Sequence, residues 1–212
     1  MFLVVATWPD IAFVVNQLSQ YLAAPTQIHL GVAKHVLCYV KGTMRHGLMF
    51  SAKRRKGLTV YADSAYANSA KSQSTTGCIF FIGNTLVSWM SKKQSITAQS
   101  STEAKYVAVS EAAKQTIWIQ HFLYSIGKEI IYCNGPTTIY EDNQGAIKIA
   151  NNPVNHPRTK HIAVRYHAIW DHVSNGEVRL EYLRTDEMVA DGLMKATNHV
   201  TQKRLVDGLG LA

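Results

Sequence analysis

The chain has 212 residues, of which 47% are hydrophobic, and it carries a formal net charge of +8 at pH 7. This length allows one domain with a sizeable core plus a smaller appendage, and the composition is that of a globular protein. No run of about 18 apolar residues occurs, so we expect neither a membrane span nor a membrane partner. The basic charge favours a polyanionic partner, most often nucleic acid, although many basic proteins bind none.

The cysteines Cys38, Cys78 and Cys133 are odd in number and widely separated. We therefore expect neither a disulfide framework nor a zinc site, and the pattern fits an intracellular protein. The apolar segment 1–6 is short and lacks a basic flank, so we expect no signal peptide.

The N-terminal part is predicted to form a pair of helices. Residues 10–23 place apolar side chains at helical spacing, and Pro25 ends this segment. Thr26 is a candidate N-cap for a second helix, which Gly42 ends. The basic run 53–56 that follows fits either a solvated turn or a contact with a phosphate backbone.

Three strands are predicted next, at residues 58–63, 77–82 and 85–91. The last two are joined by Gly83-Asn84, which is a typical two-residue hairpin loop. Alternation along the first strand places Leu58, Val60 and Ala62 on one face and Asp63 on the other.

The remaining elements alternate between helix and strand. In chain order they are a helix at 100–125, a strand at 138–142, helices at 143–150 and 159–174, a strand at 177–182 and a helix at 186–195. Asn143 is a candidate N-cap. This order of elements predicts an α/β protein with a five-stranded mixed sheet flanked by helices, preceded by the helical N-terminal appendage.

Four acidic residues in or beside these predicted strands and helices are candidate metal ligands. Asp63 and Asp142 end strands, Glu103 lies in the first turn of a long helix, and Asp191 lies in the last helix. Such carboxylates suit a metal site at one end of an α/β sheet. Each also has a structural alternative: Ser100 and Glu103 have the spacing of a capping box, and the three aspartates fit turn or helix-end positions.

Several blocks of the sequence are similar to one protein family. They are residues 61–64 (Tyr-Ala-Asp-Ser), 86–94, 100–104 (Ser-Ser-Thr-Glu-Ala), 141–147, 158–162, 165–167 and 190–193. In this order, over most of residues 1–197, they resemble the ribonuclease H domain of copia-type retrotransposon Pol polyproteins. The resemblance implies a ribonuclease H-like fold and metal-dependent cleavage of the RNA strand of RNA–DNA hybrids, in a cytoplasmic particle or the nucleus.

The resemblance also implies a division of the chain. Residues 1–52 resemble the end of the reverse transcriptase, residues 53–197 the ribonuclease H domain, and residues 198–212 a C-terminal tail. A Tyr-x-Asp-Asp polymerase motif is absent from the sequence, so we expect no DNA synthesis. The reverse transcriptase body, acting in trans, is a candidate partner beside the RNA–DNA hybrid.

The metal ligands implied by the resemblance are Asp63, Glu103, Asp142 and Asp191. They would hold two Mg²⁺ ions, for which Mn²⁺ can substitute, with Asp63 bridging both ions. Glu103 and Asp142 would hold the ion that receives the leaving 3′ oxygen, and Asp191 the ion of the nucleophile. His161 either assists product release or water positioning, or packs at the start of its helix.

Candidate substrate-binding residues adjoin the acidic motifs. Ser64, Ser101, Thr102, Asn143 and Gln144 can form hydrogen bonds with 2′-hydroxyls, which distinguish RNA from DNA. Lys92 and Lys93 are candidate phosphate contacts.

The sequence departs from the family pattern at four places. It has Ala65-Tyr66 for the usual Asp-Trp, Lys105 for Glu, Ala163 for Asp, and Met194-Lys195 for Thr-Lys. These departures keep a second interpretation open, namely a catalytically weak or inactive nucleic-acid-binding module from a decayed or re-used element. A third, an integrase or transposase core of the same fold, is disfavoured by the Ser-Ser-Thr-Glu-Ala block.

Overall fold

A five-stranded mixed sheet forms the centre of the structure, a computed structural model that describes residues 2–50, 57–69, 72–128, 135–152 and 168–211. The strands are β1 (Leu58–Ala65), β2 (Thr75–Ile82), β3 (Thr85–Lys93), β4 (Thr137–Glu141) and β5 (Val178–Tyr182). The α-helices are α1 (Phe2–Ala6), α2 (Ala12–Ser19), α3 (Gln27–Gly42), α4 (Ser101–Ser125), α5 (Gln144–Asn151), α6 (Ala168–Ser174) and α7 (His199–Leu209). Within the described ranges, no helix is long and apolar enough to cross a bilayer.

The strand order is β3-β2-β1-β4-β5, which confirms the predicted mixed sheet. β1, β2 and β3 pair antiparallel, whereas β4 pairs parallel to β1 and β5 parallel to β4. Val60 lies opposite Ile139 in the β1–β4 pair. Because these two strands run in the same direction, their carboxyl ends reach the same edge of the sheet. That edge therefore carries Asp63 and the Glu141-Asp142 pair.

One face of the sheet is covered by α4. The predicted alternation in β1 is confirmed, since Val60 and Ala62 are buried against this helix together with Phe80 of β2 and Ile139 of β4. Tyr106 and its neighbours on α4 supply the other side of this core. The long helix is thus fixed against the strands that carry the acidic residues.

The opposite face of the sheet is covered by both ends of the described chain. Ile79 and Phe81 of β2 pack there with Ile11 from the N-terminal region and with Leu205 and Leu209 of α7. The predicted C-terminal tail therefore contains a helix that contributes to the core. Side chains from both sides of the predicted domain boundaries at residues 53 and 198 pack in the same core. These two boundaries stay predictions.

Side-chain caps fix the starts of two helices beside the acidic edge. Ser100 Oγ accepts a hydrogen bond from the Glu103 amide at 3.2 Å, and Glu103 Oε2 accepts one from the Gln99 amide at 2.7 Å. The predicted capping pair of Ser100 and Glu103 thus forms. The Glu103 side chain binds the amide of Gln99, whereas in a capping box it would bind the amide of the N-cap residue Ser100. Asn143 Oδ1 accepts from the Ala146 amide at 2.9 Å, which confirms the predicted N-cap of α5.

Two predicted helices differ from the structure. The segment 10–23 begins as a 3-10 turn and its α-helix ends at Ser19, and the segment 186–195 forms two short 3-10 helices (Thr185–Glu187 and Val189–Leu193) instead of an α-helix. The second difference follows from packing, because this segment is pressed between β2 and Leu205 of α7. The early part of the predicted helix 159–174 lies outside the described residues, whereas Ala168–Ser174 is helical.

Gly77 permits this close approach to β2. A Cβ atom at position 77 would lie 2.8 Å from the Ala190 carbonyl oxygen and 3.2 Å from Leu193 Cβ. Gly77 also lies opposite Asp63 in the antiparallel pair. The absence of a side chain at this position therefore lets the segment carrying Asp191 lie directly over the strand that neighbours Asp63.

We predict that Gly77→Ala lowers the free energy of unfolding by about 1–3 kcal/mol, because backbone would have to shift to admit the methyl group. Urea denaturation of the two proteins measures this difference. The control is Gly31→Ala in α3, where no heavy atom lies within 4 Å of the new Cβ. This control should be neutral or should stabilise by up to about 1 kcal/mol. Equal effects of the two substitutions would contradict the packing argument.

Candidate active site

Three carboxylates converge at the edge where β1 and β4 end. Asp63, Glu141 and Asp142 each offer an oxygen within 4.8 Å of the others. Asp63 is 1% exposed and Glu141 is fully buried, whereas Asp142 is partly accessible. We call these three residues the acidic cluster. The acidic cluster forms because the parallel pairing of β1 and β4 aligns two strand ends that each carry acidic residues.

The ammonium group of Lys105 lies within the acidic cluster. Its Nζ contacts Oδ1 of Asp63 and Oδ1 of Asp142, and it lies 3.8 Å from Oε1 of Glu141. Lys105 comes from the second turn of α4, and its side chain is only 15% exposed. One cation therefore neutralises part of the charge of all three carboxylates in a poorly solvated site.

Hydrogen bonds from the backbone and from Thr185 hold the carboxylates in place. Glu141 Oε1 accepts from the amides of Asp142 and Asn143 at 3.0 and 3.1 Å, and Thr185 Oγ1 donates to Asp142 Oδ2 at 2.7 Å. Asp63 Oδ2 and Glu141 Oε2 are buried and have no hydrogen-bond partner among the described residues. Two carboxylate oxygens of the cluster thus remain available as acceptors.

Burial and mutual repulsion set the protonation of the cluster. Burial raises the pKa of Asp63 to about 6, although Lys105 opposes this rise. Burial likewise raises the pKa of Glu141 well above its ordinary value. Burial also disfavours the Asp142 anion, but hydrogen bonds with Glu141, Lys105 and Thr185 outweigh it and lower the pKa of Asp142. For Lys105, burial lowers the pKa, but the charge of Asp63 and the hydrogen bonds to Asp142 and Asp63 raise it above its ordinary value.

The cluster has the oxygen donors that Mg²⁺ and Mn²⁺ prefer, including the two buried oxygens without partners. However, the Lys105 ammonium already contacts Asp63 and Asp142, so a divalent ion would compete with it for the same oxygens. The like charges of an ammonium and a metal ion would also repel each other at this short range. With Lys105 in this place, the residues present do not fit a two-metal centre.

The structure brings together two of the four predicted metal ligands, Asp63 and Asp142. Glu103 lies at the start of α4, where its carboxylate accepts from the Gln99 amide. Asp191 forms an ion pair with Lys195 at 2.5 Å, and neither it nor Glu103 belongs to the acidic cluster among the described residues. His161 lies outside the described residues. The ligand roles of Glu103 and Asp191 and the role of His161 stay predictions.

The predicted substrate-binding residues lie on β1 and β3 and at the starts of α4 and α5. Ser64 is buried next to Asp63, Ser101 and Thr102 lie in the first turn of α4, and Asn143 and Gln144 lie at the start of α5. The two lysines of β3 have protein partners: Lys92 lies 3.8 Å from Glu111, and Lys93 donates to Gln20 at 3.1 Å. Contacts of any of these side chains with a nucleic acid stay predictions.

Sequence reasoning missed two members of this site, Glu141 and Lys105. Glu141 directly precedes Asp142 in the strand-end pair, and that doubled acidic signal was visible in the sequence. In the sequence, Lys105 stands out only as a departure from the family pattern. Its position in the cluster depends on how α4 is rotated against the sheet, which local sequence does not specify.

Relatives of the chain identify its family, although no family model matches it. The chain is 36% identical over 206 residues to the retrovirus-related Pol polyprotein from transposon RE1 of Arabidopsis thaliana, covering 97% of this chain and 14% of that polyprotein. It is also 36% identical over 200 residues to the Pol polyprotein from transposon TNT 1-94 of Nicotiana tabacum, covering 92% of this chain and 14% of that polyprotein. The chain belongs to the copia-type Pol polyproteins of transposons. It spans about one seventh of the length of these relatives.

The chain has the five-stranded mixed sheet, with helices on both faces, that the sequence predicts. Among solved structures, it is similar to the N-terminal RNase H domain of rv2228c from Mycobacterium tuberculosis, solved as a fusion with maltose binding protein. That similarity has a TM-score of 0.46 at 9% identity and covers 72% of this chain and 97% of that one.

The copia-type domain should show opposite pH effects at two neighbouring aspartates. Because the folded pKa of Asp63 is raised from 3.8 to about 6, its contribution to stability is present below pH 3.8 and is lost as pH rises through about 6. Asp63→Asn should therefore gain stability relative to wild type between about pH 4 and about pH 7, by about 1 kcal/mol or more. Urea unfolding at a series of pH values measures the difference.

Asp142→Asn is the matched control for this series. In wild type, the folded pKa of Asp142 is lowered. The contribution of this carboxyl group to stability is therefore present above its ordinary pKa of 3.8 and is lost as pH falls. The stability of Asp142→Asn relative to wild type should therefore decline as pH rises to about 4 and should change little between about pH 5 and about pH 7. Parallel curves for the two variants would contradict the assignment of burial as the dominant influence on Asp63.

Proposed function

We propose that this chain is a ribonuclease H-like domain that binds RNA–DNA hybrids but cleaves the RNA strand weakly or not at all. The observation that carries the proposal is the Lys105 ammonium among Asp63, Glu141 and Asp142. Two-metal cleavage needs carboxylates that are free to hold divalent ions. In this chain, a lysine engages those carboxylates instead.

Binding of the hybrid does not require the metal site. The net charge of +8 supports contacts with phosphates, which supply much of the affinity of proteins for nucleic acids. The Lys92 side chain is 64% exposed and can reach a phosphate backbone. Ser101 and Thr102, next to the acidic edge, are candidate contacts for 2′-hydroxyls. The reverse transcriptase body of a Pol polyprotein, in an intracellular particle or the nucleus, is the candidate protein partner.

A second candidate function is metal-dependent endonuclease activity on RNA–DNA hybrids, as in an active ribonuclease H. It is favoured by the buried Oδ2 of Asp63 and Oε2 of Glu141, which have no hydrogen-bond partner among the described residues. In that case Lys105 would swing away, and Asp63, Glu141 and Asp142 would hold Mg²⁺ or Mn²⁺. Bound ions would supply charge stabilisation at the phosphate undergoing cleavage.

A cleavage assay separates the two candidates. The purified chain is incubated with a hybrid whose RNA strand is end-labelled, in Mg²⁺, in Mn²⁺ and in EDTA, and binding of the same hybrid is measured in parallel. We expect binding in all three buffers and no metal-dependent cleavage. Metal-dependent cleavage of the RNA strand, absent from duplex DNA of the same sequence, would establish the second candidate. Absence of hybrid binding would contradict both.

Hybrid binding should weaken steeply with salt, because phosphate contacts release counterions. We expect a linear fall of log affinity with log salt between about 50 and about 200 mM. Replacing both Lys92 and Lys93 with Gln should reduce the magnitude of the slope by about 2 if both contact phosphates. Fluorescence anisotropy of a labelled hybrid measures the slope. An affinity that does not change with salt would show that the basic surface is not used.

A further inference from the structure

We infer that the Lys105 ammonium is the resident cation of the acidic cluster, in place of a divalent metal ion, and that residue 105 decides whether the cluster binds metal. This inference goes beyond hybrid binding, since it concerns what neutralises the cluster and holds whether or not the domain binds nucleic acid. One side chain of α4 would then control metal binding by the whole acidic cluster.

The first argument is charge. Asp63 and Glu141 are almost completely withdrawn from water, and carboxylates this close together need a cation nearby if they are to ionise. Among the described residues, the ion pairs of Asp63, Glu141 and Asp142 are all with Lys105. The lysine therefore has the electrostatic role that a metal ion would otherwise have in this cluster.

The second argument is the direction in which position 105 points. The neighbours of Lys105 in the helix, Ala104 and Tyr106, are both fully buried, which fixes the rotation of α4 against the sheet. In an α-helix, residues 103 and 105 project about 200° apart around the axis. Glu103 accordingly reaches back to Gln99, and Lys105 reaches the strand ends.

The third argument is competition. A metal ion could use the two oxygens without hydrogen-bond partners, Asp63 Oδ2 and Glu141 Oε2. It would still need the ammonium to leave Oδ1 of Asp63 and Oδ1 of Asp142, because the two positive charges would otherwise lie in contact. Removing the charge at position 105 removes this competition and leaves the cluster in need of a cation. A neutral residue at 105 should thus turn a metal-independent cluster into a metal-dependent one.

The test compares wild type with Lys105→Gln and with Lys114→Gln, a control that removes an exposed lysine from the same helix. Thermal melting is recorded in EDTA and in millimolar MnCl₂ at matched ionic strength. We expect wild type and Lys114→Gln to melt within about 1 °C in the two buffers. Lys105→Gln should melt lower than wild type in EDTA and should gain about 5 °C or more with Mn²⁺. Lys105→Glu, which adds a fourth carboxylate, should depend on Mn²⁺ even more strongly.

An equal Mn²⁺ shift in wild type and Lys105→Gln would overturn the inference, as would a folded Lys105→Gln that does not respond to Mn²⁺. If the variants at position 105 fail to fold in both buffers, Mn²⁺ titration of wild type by electron paramagnetic resonance decides. Saturable binding that Asp63→Asn abolishes would overturn the inference, and its absence would support it. Hybrid binding by wild type in EDTA is measured separately, so a failure of the proposed function remains distinguishable from a failure of this inference.

Discussion

The parallel pairing of β1 with β4 imposes the main constraint on this molecule. It brings the ends of two strands together inside the protein, and both ends carry carboxylates. Burying like charges at this distance costs free energy unless a cation compensates. The position of α4, the backbone amides that bind Glu141 and the hydroxyl of Thr185 are all arranged around that requirement.

Most of the sheet could be predicted from the sequence because its signals are local. Alternation in β1, the Gly83-Asn84 loop and the Asn143 cap each depend on a few adjacent residues, and each appears in the structure. Asp63 and Asp142 could be predicted as partners for a related reason. Their strands run in parallel, so the position of each residue in its strand determines which end of the sheet it reaches.

The rest of the site could not be predicted in this way, because it depends on tertiary packing. The sequence predicts Glu103 as the residue of α4 that belongs to the site. In the structure, however, the rotation of α4 that buries Tyr106 directs Lys105 to the strand ends. The helix predicted around Asp191 is likewise replaced by 3-10 turns, since Gly77 and Leu205 confine this segment from opposite sides. In both cases the deciding contacts come from residues distant in the chain.

A lysine whose charge is paired inside an acidic cluster has a consequence for the evolution of transposons that encode this domain. Glutamate and lysine codons differ by a single base, so one mutation can replace a negative with a positive side chain at position 105. Because the lysine neutralises the carboxylates from within, this exchange need not cost the fold its core or its caps. On the inference drawn above, a transposon copy can lose metal binding at this cluster in one step and still encode a folded domain.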